Sequence, residues 1–181
     1  ILSHLGHDDA PFLDVLANAD PLGAVPPEPA VAELAVCRAL FLSSRGRPQH
    51  ALEAAALTFM ELARTPAAAL ELGQLLHGPL ECLSPGTALV LARAVGPDAA
   101  AVGRTAAAAV SFGMKPVLFE LGPQEPLPGA IRIVLPAREG LAAALQLLPS
   151  IQRLVIEAGA RRVPDFGRPR RSSKVTDGEA P

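Results

Sequence analysis

Tryptophan and tyrosine are absent from the 181 residues, and six phenylalanines are the only aromatic side chains. A core must therefore be assembled from aliphatic groups, and stacking platforms for single-stranded nucleic acid are lacking. Net charge is equally scarce: 16 Lys and Arg against 18 Asp and Glu leave −2 at neutral pH, too little to steer a polyanion or an anionic membrane. Cysteine is limited to Cys37 and Cys82, both in apolar runs and without metal-ligand spacing. They read as buried thiols of a reducing cytoplasm, not as a disulfide. No run reaches the roughly 20 apolar residues of a membrane span without a Pro, Gly or charge, and Ile1 to Asp9 has neither the basic nor the apolar region of a signal peptide. The expectation is a soluble, cytoplasmic protein with no nucleic-acid or membrane partner.

What is present is aliphatic and alternating. Half of the chain is hydrophobic, enough for one domain with a sizeable core. Apolar runs at Ala39–Ser43, Thr87–Ala92, Pro116–Glu120 and Ala130–Leu135 read as buried strands. Helical patterns lie between and after them, over Gln49–Arg64, Ala67–His77, Asp98–Gly113 and Gly140–Ala158, the second stopped by Gly78-Pro79. A short helical pattern at Pro11–Ala17 precedes a breaker, Pro26-Pro27-Glu28-Pro29. Strands alternating with helices predict an α/β, three-layer sandwich in which helices flank a parallel sheet of four or five strands. Its ligands bind outside the carboxyl ends of the strands. The expected organisation is a lead-in helix and linker over residues 1–29, a domain over 30–158 and a basic, extended tail over 159–181. The abrupt start without Met suggests a fragment of something longer.

Three stretches carry chemistry only in conjunction. The first strand runs through Ser43-Ser44-Arg45-Gly46 into the helix Ala51-Leu52-Glu53-Ala54-Ala55-Ala56-Leu57-Thr58-Phe59-Met60-Glu61. Sixteen positions after Glu61 comes His77-Gly78-Pro79-Leu80. The chain closes on Pro164-Asp165 and Pro169-Arg170, then Lys174-Val175-Thr176. In this order and spacing, residues 30 to 176 resemble the second half of the double sugar isomerase (SIS) domain phosphosugar isomerases. That group includes the isomerase part of glutamine–fructose-6-phosphate aminotransferase and the glucosamine-6-phosphate deaminases. The resemblance implies a flavodoxin-like SIS fold and isomerisation or deamination of a hexose or hexosamine 6-phosphate. It also implies a sugar phosphate as partner, and a homodimer or pairing with a first SIS domain, because family sites are shared between domains.

Carried over position by position, the resemblance makes Glu61 the proton-transferring carboxylate, His77 the ring-opening histidine and Lys174 the tail lysine that closes over the sugar. The chemistry calls for those types. Moving a proton between C1 and C2 through an enediol or enolamine needs a carboxylate shielded from water. Ring opening needs a group titrating near neutrality. A cation stabilises the enediol oxygens where charge develops. No metal, nucleotide or other cofactor is required.

Ser44 and Arg45, in a strand-to-helix turn suited to an anion, and Thr58, where the family has a lysine, complete the candidate substrate-binding set. The family's phosphate loop belongs to the first SIS domain, so the isolated half is expected to be inactive. Ala54 and Gln74 also replace acidic family residues. These departures support a second reading, a non-catalytic phosphosugar-binding or regulatory module; a third is an assembly domain. His4 and His7 with Asp8 and Asp9 imitate a metal site but fall at a terminus. Arg161, Arg162, Arg168, Arg170 and Arg171 read as a tail over an anionic site or a partner, not as an RNA-binding surface.

Overall fold

The computed structural model describes residue 8 and residues 10–20, 22–168 and 170–171. Two helices, α1 (Ala10–Asn18) and α2 (Glu28–Val36), lead into β1 (Ala39–Ser44), and α3 (Gln49–Ala63) follows. Next come β2 (Ala67–Glu71), the short α4 (Leu72–Leu76) and a 3₁₀ turn at Pro79–Cys82. Beyond that turn lie β3 (Thr87–Ala94), α5 (Ala99–Ser111), β4 (Val117–Leu121), β5 (Ile131–Leu135) and α6 (Gly140–Arg162). The five strands are all parallel, in the order β2-β1-β3-β4-β5.

Alternation along each strand sorts the helices into layers. Leu40, Leu42, Val90, Ala92, Val117 and Phe119 meet α2, α3 and α6 on one face. Phe41, Leu89, Leu91 and Leu118 meet α4 and α5 on the other. The first layer is tightest where α3 lies on α6: Ala51, Ala55, Ala143 and Leu147 are all buried there, and small alanines let the helices approach closely. By length and composition α6 could cross a membrane, but 56% of its most apolar window is buried in this fold, as expected of a central core helix.

Three expectations need correction. Ala67–Glu71 is a strand, not the start of a helix: it pairs in register with Leu40–Ser44, and that pairing overrides the helical propensity of its alanines. Helix α4 starts only after it, in a capping box where the Glu71 carboxylate accepts from the Gly73 amide at 2.7 Å and Gln74 Oε1 accepts from the Glu71 amide at 3.1 Å. Glu28-Pro29 opens α2 instead of breaking the chain, because proline in a first turn forfeits no helical hydrogen bond. Helix α6 runs to Arg162, past the Ala158 read from the pattern, with Arg161 paired to Glu28 and Arg162 donating to the Ala35 carbonyl at 2.9 Å.

The two thiols part company. Cys37 is buried, its Sγ donating to the Leu34 carbonyl at 3.2 Å, and desolvation pushes its pKa up. Cys82, expected to be buried, is exposed because the 3₁₀ turn that carries it lies on the surface. Native protein should therefore yield one fast thiol to Ellman's reagent and a second only on unfolding, with Cys82→Ser removing the fast one. Two fast thiols would mean that α2 does not cover this side of the sheet.

One charged cluster enters the aliphatic interior. Glu120, fully buried on β4, accepts from Arg93 on β3 and from Arg132 on β5, the latter through Nε at 2.8 Å. Arg93 also donates to the Glu125 carbonyl at 2.8 Å, which draws the β4–β5 loop over the cluster. Gly103 on α5 makes room: a Cβ there would lie 3.1 Å from Arg93 Nη1. Glu120→Gln should lower the urea midpoint by an equivalent of about 3–5 kcal/mol, since it strands two arginine charges. A loss below about 1 kcal/mol would mean that carbonyls and water suffice for both guanidiniums.

Candidate functional site

Strand order reverses between β1 and β3: the chain leaves β1 for β2 on one side and leaves β3 for β4 on the other. At that switch point the carboxyl ends of the two strands diverge and leave a crevice. A cleft of about 250 Å³ fills it, lined by Arg45, Arg47, Val95, Asp98, Glu139 and Ala143 among others. The first residues of α5 and α6 line it together with the turn that opens α3, so three helix starts converge on it.

Ser44 sits beneath this cleft with its polar atoms already committed. Its hydroxyl donates to the Ala92 carbonyl at 2.7 Å and its amide to Gln49 Oε1 at 2.9 Å, bonds that join β1 to β3 and to the start of α3. Arg45 is freer. Among the described residues its Nε has no hydrogen-bond acceptor, though it forms ion pairs with Glu71 at 3.5 Å and Asp98 at 3.9 Å. Arg47 belongs to the strand-to-helix turn read as suited to an anion, whereas Asp98 and Glu139 carry no mark in the sequence beyond their place at helix starts.

Glu61 belongs to another region. It lies twelve residues along α3 from Gln49, about 18 Å down the axis and away from the cleft. Its neighbours one helical turn back are Thr58, whose hydroxyl donates to the Ala54 carbonyl at 2.9 Å, and Leu57. While Phe59 and Ala63 point into the core, Glu61 is exposed, with Leu57 55% and Met60 41% exposed beside it. Apolar side chains thus flank the carboxylate on the solvent side of the helix.

His77 caps the C-terminal end of α4, its amide donating to the Gln74 carbonyl at 3.2 Å, and its side chain is exposed. Gly78 turns the chain there at φ 140, a conformation that L side chains rarely adopt. Leu72 and Leu75 anchor α4 on the α5 face of the sheet, whereas α3 lies on the α6 face. The expectation that the helices carrying Glu61 and His77 meet at one end of the sheet is therefore not met within one chain. Strand β2 comes between them in sequence, and the chain passes through the sheet edge before α4 begins.

Lys174 lies outside the described residues, but the approach to it does not. After α6, Asp165 accepts two hydrogen bonds from Arg64, at 2.7 and 3.0 Å, and one from Arg170 at 2.8 Å. These guanidiniums hold the Asp165 carboxyl far below the usual carboxylate range, Arg64 most strongly. Of the His4, His7, Asp8 and Asp9 group only Asp8 is described, and among the described residues no three His, Cys, Asp or Glu side chains gather as metal ligands would.

No protein-family model and no curated protein matches the chain significantly. Solved structures do. The C-terminal domain of glucosamine-fructose-6-phosphate aminotransferase from Francisella tularensis superposes with a TM-score of 0.67 over 73% of this chain and 38% of its own, at 18% identity. Glucosamine-6-phosphate deaminase from Thermotoga maritima gives 0.66 over 89% of this chain and 47% of its own, at 16% identity. Tagatose-6-phosphate ketose/aldose isomerase from Escherichia coli gives 0.62 over 72% of this chain and 38% of its own, at 15% identity. The chain thus has the fold of the SIS-domain phosphosugar isomerases, five parallel strands between two helical layers. It spans less than half the length of each of these three proteins.

Proposed function

We propose that this chain is the acid–base half of a cytoplasmic phosphosugar isomerase or deaminase acting on a hexose or hexosamine 6-phosphate, at a site completed by a first SIS domain or a second copy. The observation that carries the reading is Glu61 on the open face of α3, one turn beyond the exposed Leu57 and the half-buried Thr58, with the exposed Met60 on the far side of Leu57. A carboxylate in water is a weak base. One covered by a partner surface, with Leu57 and Met60 excluding solvent, has its basicity raised toward the task of moving a proton between C1 and C2. Thr58, one turn back on the same side, would face the same sugar.

His77 would open the ring. Because α4 and α3 occupy opposite faces of the sheet, the His77 and Glu61 that serve one sugar come from different chains or domains. That requirement is the physical argument for a dimer or a paired domain. Lys174 would stabilise the enediol oxygens.

The cleft favours a second reading, a phosphosugar-binding module without catalysis. Arg45 Nε lies at the switch point with two ion pairs but no hydrogen-bond acceptor among the described residues, and helix starts surround it. The replacements Thr58, Ala54 and Gln74 agree with it.

In the full-length protein, Glu61→Gln should nearly abolish deuterium wash-in at C2 of a hexose 6-phosphate from heavy water while leaving binding close to intact, since only the base is lost. His77→Asn should slow cyclic substrate more than an open-chain analogue. Mixing the two inactive variants should restore part of the activity if the groups come from different copies. Binding without any wash-in by the unaltered protein would sink the isomerase reading, and loss of that binding in Arg45→Ala would establish the module.

A further inference from the structure

Between β5 and α6 the chain makes a short loop, Pro136 to Glu139, and α6 starts on Gly140. Gly140 stands at φ 55, in the left-handed region, and a Cβ built there would meet nothing within 4 Å. Glycine is needed at that point for the turn of the backbone and not for packing, so the joint is unobstructed. The last residue of the loop, Glu139, is exposed at the cleft, and although it stands just before α6 its side chain caps no helical amide. A loop on a free joint keeps a cleft-lining carboxylate in place only if something holds the loop.

Two contacts do so. On the sheet side the loop rests over the end of β4: a Cβ on Gly122 would lie 2.8 Å from the Ala137 methyl and 2.8 Å from a methyl of Val95, itself part of the cleft wall. On the outer side Arg138 is the tie. Its Nη1 donates to the Ala137 carbonyl at 3.0 Å, bracing its own loop, and its Nη2 donates to Asp14 on α1. Asn18 orients Asp14 for that contact, its Nδ2 donating to the other carboxylate oxygen at 2.7 Å. Among the described residues Arg138 meets no second carboxylate, and its Nε has no acceptor.

Helix α1 is itself lightly held. Val15 is its one buried residue, and Leu13 and Leu16 are more than half exposed. The chain beyond it is fastened separately. Gly23, at φ 71, lies so close to α6 that a Cβ would stand 2.5 Å from the Pro149 carbonyl carbon and the Ser150 nitrogen. The Ala24 amide donates to Ser150 Oγ at 3.0 Å, and Arg153 donates to the Gly23 carbonyl at 3.2 Å. Helix α1 can therefore leave α6 about this anchor without disturbing the core, as segments with few buried contacts do.

We propose that α1 is a latch on the switch-point cleft. Docked on α6, it holds the β5–α6 loop through Asp14 and Arg138 and keeps Glu139 at the mouth of the cleft. Undocked, it frees the loop to swing about Gly140 and widens that mouth. An exposed ion pair contributes little to global stability, which suits a contact that has to break. Whatever moves α1 changes access to the cleft, and by linkage whatever fills the cleft biases α1. The latch needs no particular ligand and stands apart from both the isomerase and the binding-module readings.

The distance between two nitroxide labels across the cleft tests it. In full-length protein carrying Cys82→Ser, labels introduced through Arg47→Cys and Glu139→Cys should give a single narrow distance distribution, the buried Cys37 staying unlabelled. Asp14→Lys sets like charges together and should shift that distribution outward and broaden it. Hydrogen exchange of the α1 amides should rise several-fold in the same variant, with the urea midpoint barely moved. The exchanged pair, Asp14→Lys with Arg138→Glu, should restore both the narrow distribution and the slow exchange, which a general loosening of the fold would not allow. An unchanged distribution in Asp14→Lys, whether or not α1 exchanges faster, overturns the latch. So does a broadened distribution that the exchanged pair leaves broad, since the loop would then answer to something other than this contact.

Discussion

Burial of β1 and β3 on both faces is the constraint from which the surface of this chain follows. Each strand presents apolar side chains alternately up and down, so both faces need covering and the connecting helices must divide between them. Helices α2, α3 and α6 take one face, and α4 and α5 take the other. With so few aromatic rings the cover is made by alanine and leucine at short range, and α3 against α6 is its densest part. Once α3 is fixed by Leu52, Ala55 and Phe59, its remaining face has no choice but to look outward. Thr58 and Glu61 lie there because of what their neighbours bury.

The same division explains why the candidate groups are dispersed. Ser44 ends β1 and Arg45 follows it, in the turn that opens α3. Glu61 is near that helix's far end, and His77 follows the next strand on the opposite face. A parallel sheet returns the chain to the same edge after every helix, so consecutive helix starts cluster and the helix ends lie away from them. The switch-point cleft gathers the starts and Arg45. Groups near helix ends, such as Glu61, gather only against another surface.

Much of this was legible in the sequence, and the failures have specific causes. Parallel strands of a helix-covered sheet read as apolar runs, and β1, β3, β4 and β5 fall within a residue or two of their expected limits. Strand β2 was hidden because Ala67-Ala68-Ala69-Leu70 is good helix material, and only the open edge of β1 makes it a strand. That single misreading displaced His77, since a continuous helix from Ala67 would have kept it on the α3 side. Helix α2 was hidden for a different reason: prolines break a helix interior but begin a helix well, and the pattern alone does not say which applies at Pro29. The Asp165–Arg64 contact, across 101 positions, has no local signature at all.

Under the proposed reading, the exposure of Glu61 specifies where it would act. A base left open to water competes with bulk solvent for the proton it moves. Near Glu61, Leu57 and Met60 are hydrophobic without being packed. The Arg45 cleft has the opposite character, already walled on several sides, with Arg45 and Arg47 beside Asp98 and Glu139 in its lining. A sugar phosphate needs both kinds of surface, one to grip charge and one to exclude water. About 18 Å of helix, roughly three turns, separates them within one copy, so under the proposed reading association is what would bring both to one ligand.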